Sequence, residues 1–407
     1  MTMSYWLKNV RLEIGYKKDN GQVIGTETEI KHLFISEGKI SRIVDCLEEI
    51  PSNSKVKDAG GLLLIPSFVE KHVHLDKTYM GDKWRASRPA NGVLERCEIE
   101  KDILASISSS IEARAKALLD VLLSAGSTHV RTHVDIYPEV KLQNLEGVKR
   151  ALDSYDDKVG SEVVAFAQHG LLGNGTVNLM REAVRSGAGI VGSVDPATAD
   201  NNIEESLVQL IDIAVEGNAD IDLHLHDPGH LGVFTMQRFA YLTKQAGWEG
   251  RVAISHAFGL GDVSKEEARS MADMLKDAGI SIITSLPIGR GVPVDLLDEC
   301  GVEVMIGNDN IFDSWWPTGN GDILERVGRL IEKYRWTNEF ALSQALRYIT
   351  GGITSLDQDG NQAWPKPGVK ANMILVDASC SAETIARRSE RKVVFYKGNI
   401  VAGSLSK

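Results

Sequence analysis

The chain has 407 residues, of which 43% are hydrophobic and 25% are charged, as in an ordinary globular protein. Its formal net charge of −11 argues against nucleic acid and anionic membranes as partners, because both attract basic surfaces. No apolar stretch approaches the roughly 18 residues of a membrane span, and the N-terminus lacks the apolar core of a signal peptide. The four cysteines are far apart and form no CxxC, so we expect a cytoplasmic protein with reduced thiols.

The two ends of the chain share a β-rich character. Residues 1–66 include YWLKNVRLEI, TETEIKHLFISEGKISRIVD and GGLLLIP, which are typical of short strands separated by turns. Residues 366–407 repeat this style in GVKANMILVD and RKVVFYKGNIVAG. We expect these two segments to pair into one small β-sandwich beside a central domain of residues 67–365.

In the central region, apolar β-branched segments alternate with amphipathic helical segments, most of which end in glycine. Eight strand candidates follow one another: LLIPSFVEKHVH, STHVRTHVDI, SEVVAFAQHG, AGIVGSVDPA, ADIDLHLHD, GRVAISHAFG, ISIITSLP and VEVMIGNDN. Alternating β and α units imply a parallel sheet, and eight units predict an α/β fold of the (β/α)8 TIM-barrel type. A doubly wound open sheet is the alternative.

Histidines concentrate at the carboxyl ends of these candidate strands, where barrel enzymes keep their chemistry. Seven of the ten histidines fall there: His72, His74, His133, His169, His224, His226 and His256. His72 and His74 are one residue apart, so on a strand both side chains point to the same face. This concentration predicts a metal site.

We assign His72, His74, His224 and Asp309 as ligands of one divalent ion, zinc or iron, because imidazole and carboxylate suit both. Such an ion would lower the pKa of a bound water from about 15.7 to about 7. Asp309 would also accept a proton from that water, and His256 would stabilise the attacking hydroxide or shuttle protons. His133 and His169 fit equally a hydrogen-bonding role in the upper layer of the barrel.

Two neighbouring residues compete for the role of proton donor to the leaving group. His226 lies on the same face as His224 and should reach the pocket. Asp227 points the other way if the strand persists, and turns inward if the strand ends there. The sequence leaves both residues open.

Further residues at strand ends are candidate substrate ligands. Gln168 offers an amide donor and acceptor that suit a ring N–C=O edge. Lys77 either places positive charge beside developing negative charge or forms a salt bridge with Asp76 or Glu70. Asp195 either holds a ring N–H or leaving amine or caps the next helix. Trp316, with its neighbour Trp315, either walls a flat substrate or anchors its loop.

Together these motifs resemble the amidohydrolase superfamily, and within it the bacterial cytosine deaminase group. HVHLDK, THVRTHVDI, AFAQHG, SHAFGLG and the strand-8 aspartate with FDSWWPTGNGD carry the resemblance, which spans nearly the whole chain. It implies hydrolysis of a C–N bond on a ring, with release of ammonia or an amine. Two-metal relatives bridge their ions with a carboxylated lysine on strand 4; AGIVGSVDPA has no lysine, so one metal is expected.

Some positions instead resemble the N-isopropylammelide isopropylamidohydrolases, a group of triazine enzymes: HLDK, GSVDPAT, HLHD and NDNIFDSWW. This likeness implies pocket roles for Lys77, Gln168, Asp195, His226 and Asn310. AQHG, by contrast, is cytosine-deaminase-like, whereas the glutamate that those enzymes carry after the strand-5 histidine is replaced by Asp227. We therefore expect a small heterocyclic substrate, either a cytosine-like pyrimidine or an aminotriazine, and leave homo-oligomerisation open.

Two other functions stay open. The same barrel could open a cyclic amide, in which case a ring-opened acid rather than ammonia or an amine would be the product. A non-catalytic metal-binding scaffold that partners another protein would bind metal and stay inert toward amino-heterocycles.

Overall fold

The computed structural model describes residues 4–289 and 291–405. The strands lie at Tyr5–Asp19 (β1), Gln22–Ser36 (β2), Lys39–Asp45 (β3), Val56–Asp58 (β4), Leu63–Pro66 (β5), Phe68–Val73 (β6), Ser127–Asp135 (β7), Gly160–Ala167 (β8), Ile190–Ser193 (β9), Asp220–His224 (β10), Val252–Ser255 (β11), Ile280–Thr284 (β12), Val304–Ile306 (β13), Met373–Val376 (β14), Arg391–Tyr396 (β15) and Asn399–Gly403 (β16).

The α-helices lie at Val93–Ala105 (α1), Ile111–Ser124 (α2), Gln143–Asp153 (α3), Thr176–Arg185 (α4), Ile203–Gly217 (α5), Gly229–Ala246 (α6), Lys265–Asp277 (α7), Val294–Cys300 (α8), Ile323–Tyr334 (α9), Glu339–Gln344 (α10) and Ser381–Arg387 (α11). Among the described residues, no helix combines the length and the apolar character that crossing a bilayer requires.

Strands β6 to β13 form one parallel sheet in chain order. The sheet closes on itself where Val73 bridges Asp309, whose backbone N–H donates to the carbonyl of His72 at 2.6 Å. Gly307 permits this approach, because a Cβ at that position would lie 2.4 Å from the Cβ of His72. The predicted (β/α)8 barrel is confirmed.

The two chain ends combine into a second sheet, in the order β16-β15-β14-β5-β1-β2-β3, with β4 pairing to β1. The segment LLIPSFVEKHVH, which the sequence presents as one strand, is divided between the two sheets. Pro66 pairs with Met373 in the outer sheet, and the N–H of Phe68 then donates to Gly126 at the foot of the barrel. The N–H of Ser67 still donates to the carbonyl of Asn372 in the outer sheet at 3.3 Å, so the chain passes from one sheet to the other between Ser67 and Phe68.

The amphipathic segments form the helices around the barrel and bury apolar side chains against it, as Leu118, Leu119 and Leu122 of α2 illustrate. Helix α1 was not predicted. Its two buried residues, Cys97 and Glu100, supply no apolar stripe that a periodicity argument could detect.

Candidate active site

The four residues assigned as metal ligands converge at the carboxyl end of the barrel. Asp309 Oδ1 lies 3.5 Å from His72 Nε2 and 3.4 Å from His74 Nε2. The ring centroid of His224 lies 4.6 Å from that of His72 and 5.6 Å from that of His74. Parallel strands end at the same edge of a barrel, which is why side chains up to 237 positions apart meet here.

The chemistry of this cluster fits a divalent ion. Nε2 of His72 and both ring nitrogens of His224 are buried and have no hydrogen-bond partner among the described residues. Each unsatisfied buried group costs about 1–3 kcal/mol, and a bound cation would remove that cost. Burial lowers the pKa of His74 and His224 well below the usual range, so both imidazoles are neutral and able to bind a metal.

Asp309 supplies the negative charge of the cluster. Burial by itself would raise the pKa of this carboxyl, but the adjacent rings of His72 and His74 hold the pKa well below its usual range. The amide of Asn310 donates to Asp309 Oδ1 at 2.9 Å, and the Ser285 hydroxyl lies 3.5 Å from Oδ2. Asp309 is therefore ionised.

Polar residues that the sequence reasoning missed support the cluster from behind. Ser255 Oγ lies 2.9 Å from His72 Nδ1 and donates to Asp222 Oδ1 at 2.6 Å. Arg131 pairs with the other oxygen of Asp222 at 3.0 Å. The period of two that places His72 and His74 on one face also places Asp222 with His224, and this was the available signal.

The two histidines with open roles lie outside the pocket lining. His133 is fully buried, with its ring centroid 4.1 Å from that of His72 and Nε2 3.4 Å from Asp222, and burial lowers its pKa to about 4. His169 packs edge-on against Tyr137 at 4.5 Å. His133 thus belongs to the imidazole cluster, whereas His169 contacts Tyr137 beside the barrel and lies outside that cluster.

Three of the predicted site residues have left-handed backbone conformations: Asp195 (φ 37°), His256 (φ 73°) and Asp309 (φ 65°). Such a conformation costs about 1–3 kcal/mol for a residue with a Cβ. All three lie just beyond the end of a strand. Because of this backbone turn, their side chains no longer follow the alternating pattern of the strand. His256 lines the pocket, with its ring stacked on that of His226 at 4.3 Å.

The two candidate proton donors differ in position. His226 lines the pocket, and its Nδ1 lies 2.9 Å from Asp195 Oδ2. Asp227 is buried outside the lining, where Oδ1 accepts the hydroxyl of Thr198 and burial raises the pKa of the carboxyl. Asp195 also accepts the backbone N–H of Asp227 at 3.2 Å, so it orients this segment and does not line the pocket.

Above the cluster lies a cavity of about 210 Å³. Its apolar walls are Val93, Phe166, Val194, Phe258, Pro287, Trp315 and Trp316, and Gln168, Ser285 and Asn310 add polar groups. Among the described lining residues, Asp309 is the one carboxylate, and the guanidinium of Arg326 is engaged with the carbonyls of Ser285 and Asn308. These walls suit a small, flat and neutral molecule.

The amides of the pocket are already oriented by the protein. Since Asn310 Nδ2 donates to Asp309, its Oδ1 is left as a buried acceptor that no described residue contacts through a hydrogen bond. Lys77 donates to Gln168 Oε1, while Gln168 Nε2 donates to Glu100 at 2.6 Å. Lys77 itself is fully buried behind Gln168, 3.0 Å from Asp135, and is absent from the lining.

Comparison with known proteins gives the family. Residues 158–402 match the model of the amidohydrolase family. The chain is 36% identical over 406 residues to the uncharacterized protein YahJ of Escherichia coli (strain K12), covering 99% of this chain and 88% of that one. It is 33% identical over 359 residues to N-isopropylammelide isopropyl amidohydrolase of Pseudomonas sp. (strain ADP), and the match covers 84% of this chain and 87% of that one.

Solved structures agree. N-isopropylammelide isopropylaminohydrolase from Burkholderia multivorans superposes with a TM-score of 0.86 at 29% identity, over 99% of both chains. The 5-methylcytosine deaminase from Klebsiella pneumoniae shares the fold, with a TM-score of 0.80 at 24% identity, again over 99% of both chains. The resemblance seen in the sequence motifs is confirmed: this chain belongs to the amidohydrolase family, whose members are hydrolases that act on C–N bonds.

Proposed function

We propose that this chain is a metal-dependent aminohydrolase that cleaves an exocyclic C–N bond on a small, neutral nitrogen heterocycle. A cytosine-like pyrimidine or an aminotriazine is the substrate, and ammonia or an amine is released. The observation that carries the proposal is a buried cluster beside a pocket of aromatic rings and amides, in which His72 is grouped with His74, His133 and His224 and also with His256 and Asp309. The four assigned ligands His72, His74, His224 and Asp309 all belong to this cluster. The 33% identity to N-isopropylammelide isopropyl amidohydrolase supports a substrate of this kind.

A zinc or iron ion held by these four residues would act as a Lewis acid and lower the pKa of a water to about 7. Asp309 accepts the proton that the attacking water loses, since its carboxylate is ionised and lies close to Nε2 of His72 and Nε2 of His74. His256 hydrogen-bonds to the attacking oxygen from the pocket wall and stabilises the charge of the adduct.

The leaving nitrogen takes its proton from His226, which lines the pocket and is oriented by Asp195. The C–N bond breaks, the second proton of the water moves to a ring nitrogen, and the water oxygen remains on the ring carbon as a carbonyl. Asn310 Oδ1 accepts a hydrogen bond from a ring or amino N–H, which satisfies its unpartnered acceptor. Gln168 contacts the ring edge.

The proposal is tested by loading metal-stripped protein with zinc or ferrous iron and offering amino- and alkylamino-substituted pyrimidines and triazines. We expect release of ammonia or the alkylamine together with the ring carbonyl product. Asp309→Asn should abolish turnover and weaken metal binding. Asp277→Asn, at an exposed carboxylate on α7 paired with Lys244, should leave both unchanged.

Two outcomes contradict the proposal. Accumulation of a ring-opened acid would replace it with cyclic amide hydrolysis. Fully metal-loaded protein that stays inert toward the whole set, while still binding metal through His72 and His74, would instead favour a metal-binding scaffold.

A further inference from the structure

Helix α1 turns one face toward the pocket. Val93, Cys97 and Glu100 are spaced by four and three residues, which places them on the same side of a helix. Val93 lines the cavity, and the Cys97 thiol lies 3.8 Å from the backbone carbonyl of Gln168. Glu100 is 2% exposed, although glutamate is rarely buried unless it has partners.

The partners of Glu100 are three donors. Oε2 accepts the amide of Gln168 at 2.6 Å and lies 3.5 Å from the ammonium of Lys77. Oε1 accepts the indole N–H of Trp315 at 2.9 Å. Both carboxyl oxygens act as acceptors in these contacts, and buried Lys77 places a positive charge beside them, while burial raises the pKa of Glu100.

This arrangement decides which way the amide of Gln168 faces. The ammonium of Lys77 can only donate, so Gln168 Oε1 must face Lys77, and Gln168 Nε2 then faces an acceptor oxygen of Glu100. The same carboxylate fixes the plane of the Trp315 ring through its N–H. Gln168 and Trp315 line the pocket, whereas Glu100 and Lys77 do not.

We propose that Glu100 is a positioning residue for substrate recognition, which sets the amide of Gln168 and the ring of Trp315 without touching the substrate. This inference rests on the proposed function, because it assigns the pocket of the same reaction. It predicts that α1 governs which ring the enzyme accepts while the metal cluster governs the rate of hydrolysis.

The test is Glu100→Gln, which keeps the size of the side chain but replaces one acceptor oxygen with an NH₂ donor. One of the three donors then faces another donor, so Gln168 or Trp315 must move. We expect KM for the amine-releasing substrate to rise about 10- to 100-fold, with kcat within about threefold and metal content unchanged. The control Glu98→Gln makes the same change on the exposed side of α1 and should match wild type.

A double variant, Glu100→Gln with Gln168→Glu, separates positioning from general damage. The amide introduced on α1 can then donate to the new carboxylate on β8's end and accept from Trp315, while Lys77 pairs with that carboxylate. We expect the double variant to regain the Tm lost in Glu100→Gln and to keep the raised KM. An unchanged KM in Glu100→Gln, a loss confined to kcat, or a double variant that regains no stability would overturn the inference.

A readout without turnover keeps this inference separate from the proposed function. The indole N–H resonance of Trp315 is assigned in metal-loaded protein with Trp315→Phe and followed in Glu100→Gln. If wild type hydrolyses no amino-heterocycle, the proposed function fails. The Trp315 N–H resonance still tests whether Glu100 positions the Trp315 ring. A shift of that resonance supports the role of Glu100, and an unmoved resonance refutes it.

Discussion

The Nδ1 of His226 lies 2.9 Å from Oδ2 of Asp195, a carboxylate that is 1% exposed. This contact holds the His226 ring against His256 at the pocket wall, with the ring centroids 4.3 Å apart. Asp227, one position further, lies outside the lining and accepts the hydroxyl of Thr198. The geometry therefore favours His226 over Asp227 as the proton donor of the proposed reaction.

His226→Gln should lower kcat by about 10²- to 10⁴-fold, the usual contribution of a positioned acid. Asp227→Asn should lower kcat by less than about tenfold, because an amide oxygen can still accept the Thr198 hydroxyl. Both are measured as kcat at saturating substrate, with bound metal quantified in each variant. A larger loss in Asp227→Asn than in His226→Gln would reverse the assignment.

The sequence reached these residues through alternation. HxH on one strand and DLHLH on another each place side chains on one face, so the convergence of these histidines could be anticipated from spacing. The same rule would have pointed to Glu70 and Asp222, which lie two residues before His72 and His224 and therefore on the same strand faces. The choice between His226 and Asp227 could not be anticipated, because it depends on where the strand ends and on Asp195, which is about 30 residues away.

Ser255 should tune metal binding through His72. Its hydroxyl donates to Asp222, so its oxygen accepts the Nδ1–H of His72, which leaves Nε2 as the atom able to hold a metal. Ser255→Ala should weaken metal affinity about 10- to 100-fold, measured by competition with a chelator.

Ser281→Ala is the control, since the hydroxyl of Ser281 on β12 lies 3.5 Å from the backbone carbonyl of Val252 on the neighbouring strand β11. It should bind metal like wild type. Equal affinities for Ser255→Ala and Ser281→Ala would show that Ser255 does not orient the imidazole.

The surroundings of Lys77 show where sequence reasoning ends. Its placement after the HxH motif leaves open a substrate ligand or a salt bridge with Asp76 or Glu70, whereas its ammonium is buried among Asp135, Glu100 and Gln168. Glu100 comes from α1, whose inward face is polar and gives no periodic apolar signal. Only tertiary packing brings this helix to the barrel mouth.

Lys77→Met should therefore act first on stability. Removing the ammonium leaves buried carboxylates uncompensated, and breaking a buried pair in this way costs about 3–5 kcal/mol. Lys244→Met, which removes an exposed lysine paired with Asp277, should cost less than about 1 kcal/mol. Denaturant unfolding of the two variants measures both values, and equal losses would refute the buried-charge account.

Glu162 predicts a pH-dependent part of the stability. One of its oxygens lies 2.9 Å from Arg131 Nε, 3.0 Å from Lys71 Nζ and 3.4 Å from His129 Nε2. Partial burial would raise the pKa of this carboxyl, but these three groups hold the pKa well below its usual range. A carboxyl with a depressed pKa stabilises the fold above its unfolded pKa of about 4.3, and this contribution fades as the pH falls toward the folded pKa.

Glu162→Gln should consequently lower Tm at pH 7, and the gap to wild type should narrow steadily below about pH 4. Glu182→Gln, at an exposed position on α4, controls for the change of side chain and should track wild type throughout. Thermal unfolding between pH 7 and pH 3 gives the comparison. A gap that stays constant over this range would mean that Glu162 stabilises the barrel by packing, since the loss would then be independent of its ionisation.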